Sequence, residues 1–368
     1  MDFYYAIAPA LLAIVAIIIA WLCLRRIARL KGKTWSRGRR IVESILLAAV
    51  AIVAIAVAIS SVWNAIALHS IHPPGQSYMV DGHRMRLDCR GTGSPTIILD
   101  AGLGNDALIW GGVQPALAKT TRVCSYDRAG FGWSDALPAP RDADHIAAEL
   151  HGLLAAAGIR EPVVLMGHSI AGIYIREYAT RYPASVAGLI FVDGSTPLQD
   201  RSAVFRAEFE KSSWDWARKL RDRTLFAAGI PRLFGQCTQS FHGFDAAAAK
   251  LQAEDLCRIR WTAIDAEMSS FDRSGEETVH TGPYGTLPIL ILSQDPGSSP
   301  SPIARAWNQM QENLKGLSTR SRRIIAKGST HYIQLDHPDL IEKEVPLFIE
   351  QIRGAAPQPT GYGSTTTE

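Results

Sequence analysis

The sequence predicts an α/β domain, a mostly parallel sheet covered by helices, carried behind two membrane-spanning helices. Three observations predict it. Two long uncharged apolar runs stand near the N-terminus, at residues 6–24 and 44–68. From about Gln76, short β-rich runs alternate with amphipathic helical stretches, the pattern of a parallel sheet with crossover helices. Within that alternation, a buried strand, a tight turn bearing a serine and a helix follow one another across residues 163–182.

With 368 residues, 47% of them apolar, the chain has material for a sizeable core in one large domain or two small ones. The net charge is +3, but eight Lys and Arg and no acid fall within residues 25–40. The remainder is net acidic, and no nucleic-acid partner is expected. The five cysteines, Cys23, Cys89, Cys124, Cys237 and Cys257, form no CxxC pair, and only His242 lies near one of them, so no structural metal is expected. With Cys23 in the membrane, the other four suffice for two disulfides in an oxidising compartment.

Each N-terminal run meets the roughly 20 apolar residues that a spanning helix needs. A cleaved signal peptide fits less well, because Asp2 replaces the usual basic start and no small-residue cleavage site precedes Arg25. The positive-inside rule keeps the basic loop cytoplasmic and sends the N-terminus and everything after Leu68 to the other side. His72-Pro73-Pro74-Gly75 then stops the helix. Strands are predicted at 77–80, 84–90, 96–100, 122–126, 163–166 and 188–192, most of them nearly continuous apolar runs, as buried strands should be. Ile146, Leu150, Leu153, Leu154 and Ala157 recur at helical spacing, giving one apolar face to lay on the sheet. The pattern breaks over 197–285, which is helical and rich in Trp, Phe, Arg and Asp and reads as an inserted cap between core segments 76–196 and 286–353. Strands resume at 288–292 and 323–326, with helices at 303–315 and 339–352. Beyond 354 the composition is that of a disordered tail.

The chemistry concentrates at Gly167-His168-Ser169-Ile170-Ala171-Gly172. A serine on a strand-to-helix turn is pushed out in a strained conformation, with the free N–H groups of the helix start behind it. Ser169 is therefore the candidate nucleophile. Ala171 stands where the G-x-S-x-G pattern has its second glycine, with Gly172 one place later. The loop Asp100-Ala101-Gly102-Leu103-Gly104 follows a strand and can set the Leu103 N–H beside that of Ile170, a two-donor oxyanion hole.

Together with Tyr126-Asp127-Arg128-Ala129-Gly130-Phe131-Gly132-Trp133-Ser134 and Gly328-Ser329-Thr330-His331-Tyr332, these motifs resemble the α/β-hydrolase superfamily, in particular its bacterial members with an AB-hydrolase type 1 domain. The likeness runs from Gln76 to about Arg353, apart from the cap. It implies an eight-stranded sheet in the order 1-2-4-3-5-6-7-8, His331 as the base, and Asp295, in the loop after 287–292, as the acid orienting it. Asp193 is the alternative acid, since some relatives place theirs after the preceding strand. The resemblance gives Asp127-Arg128 a role in shaping the floor of the site. Its strand order makes the strands of Cys89 and Cys124 neighbours, so a disulfide can form there, with Cys237 and Cys257 of the cap as the second pair.

The expected reaction is acyl transfer from a small-molecule substrate to water through a Ser-His-Asp triad and an acyl-enzyme, with no cofactor and no metal. A serine at the elbow argues against halide displacement and epoxide opening, which in relatives begin with a carboxylate nucleophile. Carboxylic esters are favoured, lipid-derived ones among them, because the domain is tethered near a bilayer under an aromatic-rich cap. Three alternatives stand beside this reading. One is iminopeptidase-like peptide hydrolysis, for which acidic cap residues such as Glu267 would hold a substrate amine. Another is a catalytically silent receptor or scaffold, which Ala171 favours, and the third is a transporter accessory subunit. The sequence does not indicate an oligomeric state. Alkaline phosphatase fused after residue 353 should be active and green fluorescent protein fused there dark; the opposite pattern would place the domain in the cytoplasm.

Overall fold

The computed structural model describes residues 7–30, 35–70, 72, 74–137, 140–197, 199, 201–207, 216–238, 244 and 246–355. The predicted tail from 356 on, Pro73 of the linker and residues 31–34 of the basic loop lie outside the described residues. The two N-terminal runs form helices α1 (Ala8–Leu30) and α2 (Arg37–His69), both long and apolar enough to cross a membrane. They meet along a seam of Ala13, Ala16, Ala20 and Cys23 against Ala51, Ala54 and Ala58. Small side chains let the two helix backbones approach closely. Ile14, Ile17, Ile18, Ile52, Val53, Ile59 and Ile66 point outward and are exposed.

The sheet has eight strands: β1 (Gln76–Val80), β2 (His83–Arg90), β3 (Ile97–Asp100), β4 (Val123–Asp127), β5 (Val163–His168), β6 (Val186–Val192), β7 (Ile289–Gln294) and β8 (Ser321–Ala326). Their order is β1-β2-β4-β3-β5-β6-β7-β8, the order the resemblance implies. Pairing is antiparallel at β1–β2 and β2–β4 and parallel from β4 to β8. Alternate residues feed two cores. Ile98, Leu165, Leu189 and Phe191 pack under α3 (Ala143–Ala156) and α4 (Ala171–Arg181). Ile97, Leu99, Met166, Ile190 and Val192 face the other way. Burial on both faces explains why the central strands read as unbroken apolar runs.

After β6 the chain forms helices only, among the described residues, until β7: α5 (Trp216–Ala227), α6 (Ala246–Asp255), α7 (Trp261–Ser269) and α8 (Phe271–Thr278) are the longest. Helix α9 (Pro302–Asn313) follows β7, and α10 (Pro338–Ala355) follows β8 and covers the second core with Ile341, Val345, Phe348 and Ile349. Cys89 and Cys124 face each other across β2 and β4 and are bonded, as are Cys237 and Cys257, while Cys23 is free. Strands β5 and β7 each run two residues past their predicted ends. Gly167, His168, Ser293 and Gln294 break the apolar pattern, yet each keeps its place in the ladder with β6 or β8.

Candidate active site

Ser169 sits between the last residue of β5 and the first of α4 at φ 55°, a left-handed conformation that costs a residue with a Cβ about 1–2 kcal/mol. Surrounding bonds hold it there. Its carbonyl accepts the Gly172 N–H at 2.9 Å and the Ser195 N–H at 2.7 Å. A Cβ at Gly172 would stand 2.8 Å from the Ser195 carbonyl oxygen and 2.9 Å from the Gly194 Cα, so this glycine allows α4 to close on the 194–195 loop. Ala171 is fully buried beside Gly167, where a Cβ would come within 2.9 Å of the Ala171 carbonyl carbon. Gly167 is thus needed for the close approach of the helix backbone, with the Ala171 methyl 3.2 Å from where that Cβ would stand.

The His331 ring lies between two partners. Its Nε2 is 2.9 Å from the Ser169 Oγ, and its Nδ1 is 2.6 Å from Asp193 Oδ2. Asp193 comes directly after β6 at φ 46°, and its side chain is sealed from solvent. Its second oxygen accepts the Gln294 N–H at 2.9 Å. The acid facing His331 is thus Asp193 and not Asp295, which corrects the sequence expectation. Asp295 follows the longer β7 and accepts the Gly297 N–H at 3.0 Å and the Gly328 N–H at 2.9 Å. Those N–H groups, Gly328 first, hold its carboxyl below the usual range. Its bond to Gly328 anchors the loop that carries His331 without reaching the ring.

The loop from Ala101 to Gly104 lies against the serine: a Cβ at Gly102 would stand 2.7 Å from the His168 ring and 3.2 Å from the Ser169 Cβ. Leu103 packs beside Ile170, and neither backbone N–H is engaged by another group among the described residues. Arg128 fixes this loop from below. Its guanidinium donates to the carbonyls of Ala101 and Gly102, to Asp100 at 2.7 Å, and to both oxygens of Glu267 at 2.7 and 3.0 Å. All three charged side chains are buried. Glu267 comes from cap helix α7, and both its oxygens are taken, which corrects the expectation that it would hold a substrate amine. This clamp was not found from the sequence, because its halves are 139 residues apart. Asp127 plays a supporting part, accepting the N–H groups of Ala107 and Trp133; burial and the neighbouring Asp106 push it up to about 7.

His168 sits behind the triad with Nε2 3.0 Å from the His331 carbonyl oxygen, so Nε2 carries the proton. Burial, with His331 adding to it, pushes His168 down to about 3. On the open side, Trp307 of α9 meets His331 edge-on at 5.5 Å and Phe205 meets Trp307 at 5.8 Å, an apolar wall extended by Met310. A hydroxyl facing an imidazole that is itself held by a buried carboxylate is the arrangement from which a serine can give up its proton as it attacks a carbonyl.

The family model of the alpha/beta hydrolases matches residues 97–344. The chain belongs to the alpha/beta hydrolase family. Among curated relatives, this alpha/beta hydrolase is 39% identical over 298 residues to a probable transporter of Hormonema carpetanum, covering 71% of this chain and 40% of the relative. It is 30% identical over 244 residues to an uncharacterized protein of Schizosaccharomyces pombe, covering 64% and 43%. The hydrolase thus spans less than half the length of these two relatives. Among solved structures it is similar to a membrane phospholipase A described as a bacterial virulence factor (TM-score 0.57, 20% identity, 86% of this chain and 100% of that one). A haloalkane dehalogenase loop variant from Bradyrhizobium elkanii matches about as well (TM-score 0.56, 19% identity, 76% and 97%). Likeness at this level carries the fold and leaves the chemistry to the site.

Two predictions rest on this geometry. Asp193→Asn should lower turnover of a soluble ester by about 10⁴-fold, as expected when the histidine loses its tautomer partner. Asp295→Asn should stay within roughly tenfold of wild type, the scale of one or two weakened hydrogen bonds; equal losses in both variants would contradict the assignment. His168 is neutral in the fold, and its folded value lies below the 6.5 of a free imidazole, so its contribution is complete above pH 6.5 and is lost as the pH falls toward about 3. The gap between thermal melts of wild type and His168→Asn should narrow steadily as the pH falls from 7 toward about 3. Parallel curves would show that His168 is not the acid-sensitive group.

Proposed function

We propose that this hydrolase cleaves carboxylic esters through an acyl-enzyme on Ser169. The observation that carries the reading is the line Ser169 Oγ, His331, Asp193, at 2.9 and 2.6 Å. In the first half-reaction the Ser169 Oγ bonds to the acyl carbon as its proton passes to His331 Nε2. The N–H groups of Ile170 and Leu103 stabilise the oxyanion. Asp193 holds the imidazole in the required tautomer and stabilises the imidazolium, without taking the proton. The ester C–O bond then breaks and His331 returns the proton to the leaving alkoxide. Water repeats the sequence in reverse, giving the acid and restoring Ser169.

The apolar wall of Phe205, Trp307 and Met310 beside His331 suits an acyl or alcohol chain better than a charged amine, and Glu267, the acid named for the peptidase alternative, is committed to Arg128. A small-molecule ester, no cofactor and an extracytoplasmic hydrolase domain make up the rest of the reading. The basic loop between the two apolar helices supports that side of the membrane, as do the disulfides Cys89–Cys124 and Cys237–Cys257.

Activity-based labelling tests the reading directly. A fluorophosphonate should label the wild type and fail on Ser169→Ala and His331→Ala. A folded wild type that stays unlabelled would overturn it and move the protein toward a binding role.

A further inference from the structure

Polar side chains inside an apolar span are costly unless something bonds them. Helix α2 carries three near its exit end, Ser60, Ser61 and Asn64, and all three are buried, at 2%, 0% and 1% exposure. The cap bonds one of them and packs on another: Asn64 is hydrogen-bonded to it and Gly229 lies against Ser60, while the Ser60 and Ser61 hydroxyls have no hydrogen-bond partner among the described residues. The Asn64 amide donates to the Phe226 carbonyl at 3.1 Å and its oxygen accepts from Arg232 Nε at 3.1 Å. The Arg232 guanidinium lies 5.8 Å from the centre of the Trp63 ring and pairs with Glu254 at 2.6 Å. Gly229, at φ 73°, touches the helix so closely that a Cβ would stand 2.8 Å from both the Ser60 carbonyl oxygen and the Asn64 Cβ. Helix α5 packs on α1 and the turn 230–233 packs on α2. The cap is therefore seated on the membrane helices themselves.

The depth of this joint is set by helix geometry. Ser60 and Asn64 precede Leu68, the last residue of the apolar run, by about 12 and 6 Å at 1.5 Å per residue. A span ending at Leu68 puts the segment 216–234 at the boundary between headgroups and acyl chains. Its composition fits that position. Leu220, Leu225, Leu233 and Phe234 are exposed, Phe234 by 78%, and the same segment carries Arg218, Lys219 and Arg221. Apolar residues with basic ones beside them are the pattern of an element lying in the interface plane. These exposed apolar residues stand on elements packed against α1 and α2, and the occupant they suit is the bilayer that the two helices would cross.

We propose that residues 216–234 form a bilayer-seated portal, and that the substrates of the Ser169 site are lipid esters held in the membrane. The inference rests on the ester-hydrolase reading and narrows its substrate class. Two ends of the cap support it: the 216–234 end grips the membrane helices, while Glu267 holds Arg128 and, through it, the loop beside Ser169. One cap thus touches both the apolar helices and, through Arg128, the loop beside Ser169.

The test uses full-length protein in phosphatidylcholine vesicles containing a fluorogenic long-chain ester lipid, with p-nitrophenyl butyrate as the soluble comparison. Leu233→Ser with Phe234→Ser should lose roughly tenfold or more on the bilayer-held ester, the scale of withdrawing two large apolar side chains from lipid, and keep wild-type turnover of the soluble ester. A fluorophore on Phe234→Cys should be quenched by spin-labelled lipid. Unchanged turnover of the bilayer ester, equal losses on both esters, or an unquenched label would overturn the portal. Turnover of the soluble ester alone by the wild type would overturn the portal and leave the hydrolase reading standing, whereas turnover of neither would overturn both.

Discussion

A carboxylate sealed from water, fixed through one oxygen by the Gln294 N–H and through the other by His331 Nδ1, sets where the imidazole stands and so which atom it can serve. Asp193 is placed by the sheet: β6 lies between β5, which ends beside Ser169, and β7, which supplies Gln294. The imidazole arrives from beyond β8, on a loop that Asp295 ties down through Gly328. Four consecutive strand ends thus contribute to one hydrogen-bonded line. Three of these contributions depend on the register of parallel pairing, and a one-residue slip would move them to the wrong face.

Much of this was legible in the sequence because it is local. The strand-serine-helix order around Ser169 lies within residues 163–182, and the glycine-bearing loop at Leu103 and each apolar run of the sheet are shorter still. The acid was harder. Asp193 and Asp295 both follow a predicted strand, and hydropathy ended β7 at Leu292 because Ser293 and Gln294 are polar. Pairing with β8 carries the strand on to Gln294, which moves Asp295 past the ring, while the left-handed turn at Asp193 places its carboxylate where the imidazole comes in. Hydropathy records burial and is blind to such backbone turns. Glu267 illustrates the same limit, since a sequence shows an acid but not the arginine 139 residues away that consumes it.

The cap joins parts of the molecule that the sequence presents as separate. Through Glu267 and Arg128 it braces the carbonyls of Ala101 and Gly102, which hold the Leu103 N–H in place. Removing one partner of such a buried pair typically costs about 3–5 kcal/mol, so the placing of the loop beside Ser169 and cap docking are linked through a single guanidinium. Through Asn64, Gly229 and Arg232 the cap also rests on α2. The two apolar helices are thereby joined through the cap to the scaffold that positions the site.

The most direct test of the central claim is proton NMR of the downfield imidazole region, with a boronate bound at Ser169. A strongly deshielded Nδ1 proton that survives Asp295→Asn and vanishes in Asp193→Asn is the predicted result. A signal that persists in Asp193→Asn and is lost in Asp295→Asn would contradict the account.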